Sequence, residues 1–168
     1  METIMEELLR QHRDAEAMLV KLAAGVDRVQ REGVKAAGVL DDLRDLRHEI
    51  QGEVLSHFRE EEQALFPVLG RHIDSASGPI AMMMEEHAIF RQLELQFEEA
   101  VAALEAGFRD GWEEKVCDAA GSIAHLLPAH IEKEESVLFP MAEDVLSADE
   151  WDHVRRLWQE ALAAVLPA

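Results

Sequence analysis

Residues 57–67 read H-F-R-E-E-E-Q-A-L-F-P, and residues 130–140 read H-I-E-K-E-E-S-V-L-F-P. Both stretches contain the pattern H-x-x-x-E followed by L-F-P, and they lie 73 residues apart. A lone histidine precedes each stretch, His12 before the first and His87 before the second, and these two are 75 residues apart. The chain therefore contains two similar halves, each with one lone histidine and one H-x-x-x-E motif.

The spacing within each motif places its two polar side chains together. Residues i and i+4 lie one turn apart on the same face of an α-helix. That face also carries the regularly spaced apolar residues that predict burial. Burying several unpaired carboxylates and imidazoles costs several kcal/mol, so these groups need a binding partner that offsets this free energy. We interpret six residues as inward-facing polar groups: His12, His57, Glu61, His87, His130 and Glu134.

Apolar residues recur with helical spacing along most of the chain, which predicts an all-α fold. Four long stripes with short connections predict an up-down-up-down four-helix bundle, at about residues 2–142. Ser147-Ala148-Asp149-Glu150 has the pattern of a capping box and predicts a short C-terminal helix, at about residues 147–166. Residues 1–168 then form a single domain.

Individual residues refine this prediction. The second stripe should end at Phe66-Pro67, and Pro128 should kink or locally unwind the fourth helix. Trp151 and Trp158 should attach the last helix to the bundle, with a dimer contact as the alternative. Cys117 should pack as a small hydrophobic residue. Met82, Met83 and Met84 are expected in the core and at its flank.

Composition excludes several classes of function. The chain has 16 Lys and Arg against 35 Asp and Glu, a formal net charge of −19. That balance argues against binding nucleic acid or an anionic membrane, because both depend on clustered basic residues. The single cysteine excludes an internal disulfide, and the acidic N-terminus does not resemble a signal peptide. We therefore expect a cytoplasmic protein that does not bind a membrane.

The types of these six side chains indicate which metal a centre built from them would hold. Without thiolates a structural zinc cluster is disfavoured, and imidazoles disfavour calcium or magnesium, which prefer oxygen ligands throughout. Mixed histidine and carboxylate suits iron, followed by manganese or zinc. Six side chains are too many for one ion with open positions. They suit two ions that share bridging carboxylates, which typically lie about 3.5–4 Å apart.

The order H … H-x-x-x-E … H … H-x-x-x-E, with L-F-P after each motif, resembles the hemerythrin-like (HHE cation-binding) domains over about residues 5–142. The resemblance implies a four-helix bundle around a non-haem di-iron centre, with two iron ions bridged by an oxo group and by carboxylates. Glu61 and Glu134 would bridge the ions, and the histidines would be terminal ligands. The ligand set that it implies is His12, His57, Glu61, His87, His130 and Glu134.

The chain departs from the oxygen-carrying members of that family at two positions. Where they have a second histidine one turn after the ligand of the third helix, this chain has Arg91. Their carboxylate on the fourth helix corresponds in spacing to Glu135, although Glu134 matches the internal repeat better. Glu16 and Glu94 are candidate extra ligands or outer partners, with a solvated position favoured for Glu94. His125, beside its stripe, is a further candidate.

Three functions remain open. The first is a non-haem di-iron protein that binds or reacts with a small molecule, such as oxygen, peroxide or nitric oxide, in a redox or stress-response role. The alternative is an iron- or oxygen-responsive regulatory module that binds metal without turnover. The third is a metal-free helical interaction domain. The predicted centre has fewer histidine ligands than those of the oxygen carriers, which favours reaction of a bound small molecule over reversible oxygen storage. We expect a monomer or homodimer.

Overall fold

The computed structural model describes residues 3–107 and 110–164, and every regular element in these ranges is a helix. Helix α1 spans Ile4–Glu32 and begins at a capping box, in which the Glu6 amide donates to the Thr3 hydroxyl and the Thr3 amide donates to the Glu6 carboxylate. Helix α3 spans Pro79–Glu105 and helix α5 spans Ala148–Ala163. The all-α prediction is confirmed.

Two further helices contain widened, π-helical turns. Helix α2, residues 39–69, consists of Val39–Glu49, a π turn at Ile50–Val54, Leu55–Glu60, a second π turn at Glu61–Leu65, and Phe66–Leu69. Helix α4, residues 112–145, consists of Trp112–Lys133, a π turn at Glu134–Leu138, and Phe139–Val145. A π turn therefore begins at the glutamate of each H-x-x-x-E motif.

A proline follows each of the two π turns that begin at a motif glutamate. Pro67 lacks an amide hydrogen, and its ring would crowd the carbonyl of residue 63 in a regular α-helix. In each π turn the residue before the proline donates its amide to the carbonyl five residues earlier. The Phe66 amide donates to the Glu61 carbonyl, and the Phe139 amide donates to the Glu134 carbonyl. The wider turn accommodates the proline, so α2 does not end at Phe66-Pro67 as predicted but continues to Leu69.

The predicted effect of Pro128 is wrong in its position. α-Helix continues through Pro128 to Lys133, and the departure from regular geometry begins at Glu134 instead. Pro128 is exposed on the surface of this helix.

The helices bury two separate apolar clusters. Each of α1 to α4 contributes to both, and α5 covers the second. His12 in α1 and His87 in α3 lie between residues of the two clusters along the chain, as do Glu61 in α2 and Glu134 in α4. His57 and His130 directly precede Phe58 and Ile131, the last first-cluster residues of α2 and α4. The first cluster includes Met18, Leu22, Ile50, Phe97, Val101 and Ile123. The second includes Leu8, Leu65, Leu69, Met83, Phe139 and Trp158.

On α5, Trp158 is buried in the second cluster and Trp151 is partly buried against that cluster. Both contacts agree with the predicted role of these residues in attaching this helix. Cys117 is half-buried against the first cluster, as expected for a small hydrophobic residue. Of the three consecutive methionines only Met83 is buried; the side chains at 82 and 84 face solvent. Among the described helices, none has the length and apolar character needed to cross a membrane.

Candidate metal centre

The structure brings all six predicted polar residues together between the two apolar clusters. α1 contributes one histidine, α3 contributes another, and α2 and α4 each contribute a histidine and a glutamate one turn later. None of the six is more than 5% exposed. They are His12, His57, Glu61, His87, His130 and Glu134.

The first of two groups of ligand atoms is formed by α1, α2 and α4. The Nε2 atoms of His12 and His57 are 3.1 Å apart, and His12 Nε2 lies 3.1 Å from Glu134 Oε2. His57 Nε2 lies 3.5 Å from Glu61 Oε2. These four residues each offer one atom, and the atoms lie within 4.8 Å of one another.

The second group has the same composition. The Nε2 atoms of His87 and His130 are 3.2 Å apart. His87 Nε2 lies 3.5 Å from Glu61 Oε2, and His130 Nε2 lies 3.2 Å from Glu134 Oε1. Glu61 and Glu134 therefore belong to both groups, each of which has two histidines of its own.

Several of these atoms lack a hydrogen-bond partner in the part of the chain that the structure describes. Both carboxylate oxygens of Glu61 and Oε1 of Glu134 are buried and accept no hydrogen bond among the described residues. Leaving a buried polar group unpaired costs about 1–3 kcal/mol. Cations placed between the carboxylates and the imidazole nitrogens would satisfy these atoms together. The donor set, nitrogen and carboxylate oxygen without thiolate, fits a transition metal such as iron.

Burial and mutual proximity perturb the charges of this layer. Burial and the nearby Glu134 carboxylate raise the pKa of Glu61 well above its ordinary value. Burial also acts to raise the pKa of Glu134, but the neighbouring imidazoles of His12, His130 and His57 outweigh it and hold the pKa well below its ordinary value. Burial lowers the pKa of His57 to about 4 and also lowers that of His87. Neutral imidazole is the form that binds metal.

A second ring of polar residues holds each histidine from outside. On α1 and α2, His12 Nδ1 lies 2.9 Å from Glu135 Oε1, and His57 Nδ1 lies 2.8 Å from Gln11 Oε1. Because carboxylate and amide oxygens only accept, each Nδ1 carries the proton and each Nε2 directs a lone pair at the centre. Fixing the tautomer in this way is typical of histidines that bind metal.

The other two histidines are held in the same manner. His87 Nδ1 lies 2.8 Å from Glu62 Oε1, and His130 Nδ1 lies 3.0 Å from Glu86 Oε2. Sequence reasoning missed these outer partners. The repeat could have found them, because Gln11 and Glu86 each precede a lone histidine, while Glu62 and Glu135 each follow the glutamate of a motif.

Other sequence expectations need correction. Glu94 was expected in solvent but is 4% exposed, and its Oε1 accepts a hydrogen bond of 2.8 Å from Gln51 Nε2, because α2 and α3 pack together there. Glu60, next to Glu61 in the sequence, is also buried and accepts a hydrogen bond from Gln11. The structure does not bring Glu16 or His125 into the centre, since both are exposed.

Arg91 and Glu135 lie outside the inner ring. Arg91 Nη2 lies 2.8 Å from both oxygens of Glu62, so it holds the partner of His87 and does not itself face the centre. Glu135 contacts the outer nitrogen of His12, while Glu134 faces the centre. The internal repeat therefore predicted the inward-facing glutamate of α4 better than the spacing in oxygen carriers did.

Comparison with known proteins gives one family and several relatives. The family described as the hemerythrin HHE cation binding domain matches residues 3–142. The iron-sulfur cluster repair protein DnrN of Neisseria gonorrhoeae is 30% identical over 146 residues, which cover 84% of this chain and 88% of that protein. No solved structure matches the chain.

The iron-sulfur cluster repair protein YtfE of Yersinia pseudotuberculosis is 35% identical over 136 residues, or 78% of this chain. YtfE of Yersinia pestis (strain Pestoides F) is 34% identical over the same length. The match spans only 59% of each Yersinia protein.

Proposed function

The chain belongs to the hemerythrin HHE cation-binding domain family, and we propose that it is a non-haem di-iron protein that reacts with a small molecule in a redox or stress-response role. The observation that carries this proposal is the pair of four-residue ligand groups sharing Glu61 and Glu134. Each group would hold one iron, with the two glutamates bridging. The proposed ligands are His12, His57, Glu61, His87, His130 and Glu134.

The order of the two apolar clusters along the chain supports an up-down-up-down arrangement. α1 and α3 each pass from the second cluster to the first, whereas α2 and α4 pass from the first to the second. Each of these four helices also contacts two of the others, so that their contacts close into a ring. We take residues 1–168 as one domain and the cytoplasm as its location; both stay predictions.

The residues of the chain prepare the centre for metal. When bound, an iron pair supplies electrons and open coordination positions for a small molecule such as oxygen, peroxide or nitric oxide. The outer partners hold each Nδ1 proton, so that each Nε2 stays a ligand. The apolar clusters on both sides exclude water from the six side chains, which strengthens their interactions with a cation.

The relatives support a stress-response role. Both the Neisseria and the Yersinia relatives are iron-sulfur cluster repair proteins. We propose a related role for this chain, as a protein that handles a damaged cluster or the small molecule that damages it. Because the match covers only part of the Yersinia proteins, the activity of the complete relatives is here a proposal alone.

Metal analysis after anaerobic reconstitution with ferrous iron tests the proposal. We expect two ions per chain and, after exposure to air, near-ultraviolet charge-transfer absorption. The double variant Glu61→Ala/Glu134→Ala should lose both while remaining helical by circular dichroism. Glu85→Ala/Glu132→Ala, which removes the same charge from exposed positions, should retain both. A wild-type chain that binds one ion or none would refute the proposal.

A second measurement separates the regulatory alternative. The reconstituted protein would be supplied with a reductant and either peroxide or nitric oxide, and consumption of the small molecule would be followed. Sustained consumption supports reaction at the centre. Loss of folding stability on chelation, without any consumption, would favour a metal-responsive module.

A further inference from the structure

The two ligand groups contain the same residue types but differ in their surroundings. We call the group with His12 and His57 the N-terminal position, and the group with His87 and His130 the middle position. Glu61 and Glu134 are common to both. A difference in metal affinity between the positions must therefore come from the residues that hold the histidines, which differ between the halves.

The first difference is the charge of the outer hydrogen-bond acceptors. At the middle position both histidines donate from Nδ1 to carboxylates, Glu62 and Glu86. A carboxylate acceptor makes an imidazole a stronger ligand than a neutral acceptor does.

At the N-terminal position only one of the two acceptors is charged. His12 donates to the Glu135 carboxylate, but His57 donates to the amide oxygen of Gln11. The amide cannot be flipped, because Gln11 Nε2 donates at 2.8 Å to Glu60 Oε2 and so leaves the oxygen facing the histidine.

The second difference is how firmly the outer carboxylates are held. Arg91 contacts both oxygens of Glu62, and Lys133 forms an ion pair with Glu86. The side chains of Glu62 and Glu86 are 19% and 14% exposed. Glu135 is 42% exposed, and among the described residues no lysine or arginine forms an ion pair with it. Its charge is therefore more screened by solvent, and its rotamer is less firmly fixed, than those of Glu62 and Glu86.

The third difference is in packing around the rings. Phe58 stacks on His87 with ring centroids 3.8 Å apart and an interplanar angle of 14°. The internal repeat places Ile131 at the corresponding site in the other half, where it cannot stack. A cavity of about 10 Å³, close to the smallest that holds a water molecule, lies against both histidines of the N-terminal position and against His130 of the middle position. The middle position therefore has one ring, His87, that does not border this cavity and is stacked on Phe58.

We propose that the middle position binds its ion first and more tightly, and that Glu62 and Glu86 are the positioning residues responsible. This inference rests on the proposed function, because it presupposes two ions. Arg91 and Lys133 carry positive charge, but each lies behind its carboxylate. The carboxylate is nearer to the histidine, so the pair still favours a cation at the centre. Side chains that are already fixed also lose less entropy on binding.

Titration of the metal-free protein with cobalt(II), followed by calorimetry and visible absorption, tests the inference without any assay of activity. Two steps in wild type are not sufficient, because the first of two like ions repels the second even at equivalent positions. Variants at equivalent places in the repeat decide which position fills first. Glu62→Gln and Glu135→Gln remove the same charge, one from each half, and so form a matched pair.

We expect Glu62→Gln to lower the first association constant about 10–100-fold, the usual effect of losing an outer partner of a ligand. Glu135→Gln should leave the first constant unchanged and lower only the second. If the two positions were equivalent, neither variant would lower the first association constant appreciably, because the first ion would bind at the position that the substitution leaves intact. That result, or a first constant lowered equally by both variants, would overturn the inference.

A second pair of variants tests the same point at the other acceptors. Glu86→Gln should lower the first constant, and Gln11→Glu should raise the second, so that each narrows the gap between the steps. Total stoichiometry separates the two proposals. Wild type binding a single ion would refute the di-iron function, and that ion's insensitivity to Glu62→Gln and Glu86→Gln would refute the middle position as the tighter one. No bound cobalt would overturn both.

Discussion

Replacing Glu61 by leucine should stabilise the metal-free protein while abolishing its metal binding. Both carboxylate oxygens of Glu61 are buried without a hydrogen bond, and burial raises the pKa of this carboxyl well above its ordinary value. Leucine has a similar volume and no polar atoms. The substitution therefore leaves no buried polar group without a hydrogen bond at this position.

The magnitude follows from the unpaired atoms. One unsatisfied buried polar group costs about 1–3 kcal/mol, and we expect Glu61→Leu to recover about that amount. With a urea dependence of about 2 kcal/mol per molar, the unfolding midpoint should rise by about 0.5–1.5 M. The measurement is urea unfolding with excess chelator, followed by circular dichroism at the helical minimum.

Metal reverses the order of stability. A ligand at about 1,000 times its dissociation constant adds about 4 kcal/mol to the stability of a protein that binds it only when folded, which exceeds the roughly 1–3 kcal/mol expected from removing the unpaired carboxyl. Wild type should gain in this way, whereas Glu61→Leu, which lacks a residue of both ligand groups, should gain nothing.

Glu134→Leu is the matched control. Glu134 lies in the same layer, but its oxygens lie 3.1 Å from His12 Nε2 and 3.2 Å from His130 Nε2, and these imidazoles hold its pKa well below the ordinary value. Its removal takes away this favourable interaction, so Glu134→Leu should be less stable than Glu61→Leu in chelator. Equal or lower stability of Glu61→Leu relative to wild type, at unchanged helicity, would refute the reasoning about unpaired carboxylate oxygens.

Three further outcomes are expected. Phe97→Ala, in the first apolar cluster, should reduce the free energy of unfolding by about 3–5 kcal/mol, but metal stoichiometry should be unchanged. Ser147→Ala removes the cap of α5 and should cost about 1 kcal/mol in urea unfolding, with a smaller loss contradicting a stabilising cap. The backbone amide and hydroxyl of Ser147, with His72, lower the pKa of Glu150 to about 2. Stability from this carboxylate should therefore be complete above the ordinary value of 4.5 and be lost as pH falls towards 2, which nuclear magnetic resonance titration of the Glu150 carboxyl would check.

The local part of the architecture was predictable from the sequence. The interval between His57 and Glu61 fixes a shared helix face whatever the rest of the fold does, and the repeat at His130 and Glu134 doubles that information. The same periodicity predicted that the six polar residues lie at buried positions. Metal occupancy itself stays a prediction.

Relations between helices were not predictable in the same way. Whether Glu94 faces solvent or Gln51 depends on the rotation of α3 relative to α2, which a stripe of mixed residues leaves undetermined. Pro67 shows a different limit. Proline usually ends or kinks an α-helix, but a π turn lets the chain pass it, and the hydrogen bond from Phe66 to Glu61 is visible only in the folded backbone.

The separation of the apolar residues into two clusters has a consequence for how the protein opens. Among the described residues, the buried apolar side chains at the two ends form separate clusters on either side of the layer of histidines and glutamates. We therefore expect that without metal each end loses its protection against amide hydrogen exchange independently. A pair of ions bound to all four long helices would act as a cross-link at mid-height. Amide hydrogen exchange at both ends would then slow together. The metal-bound protein would open as one cooperative unit, and the metal-free protein as two separate regions.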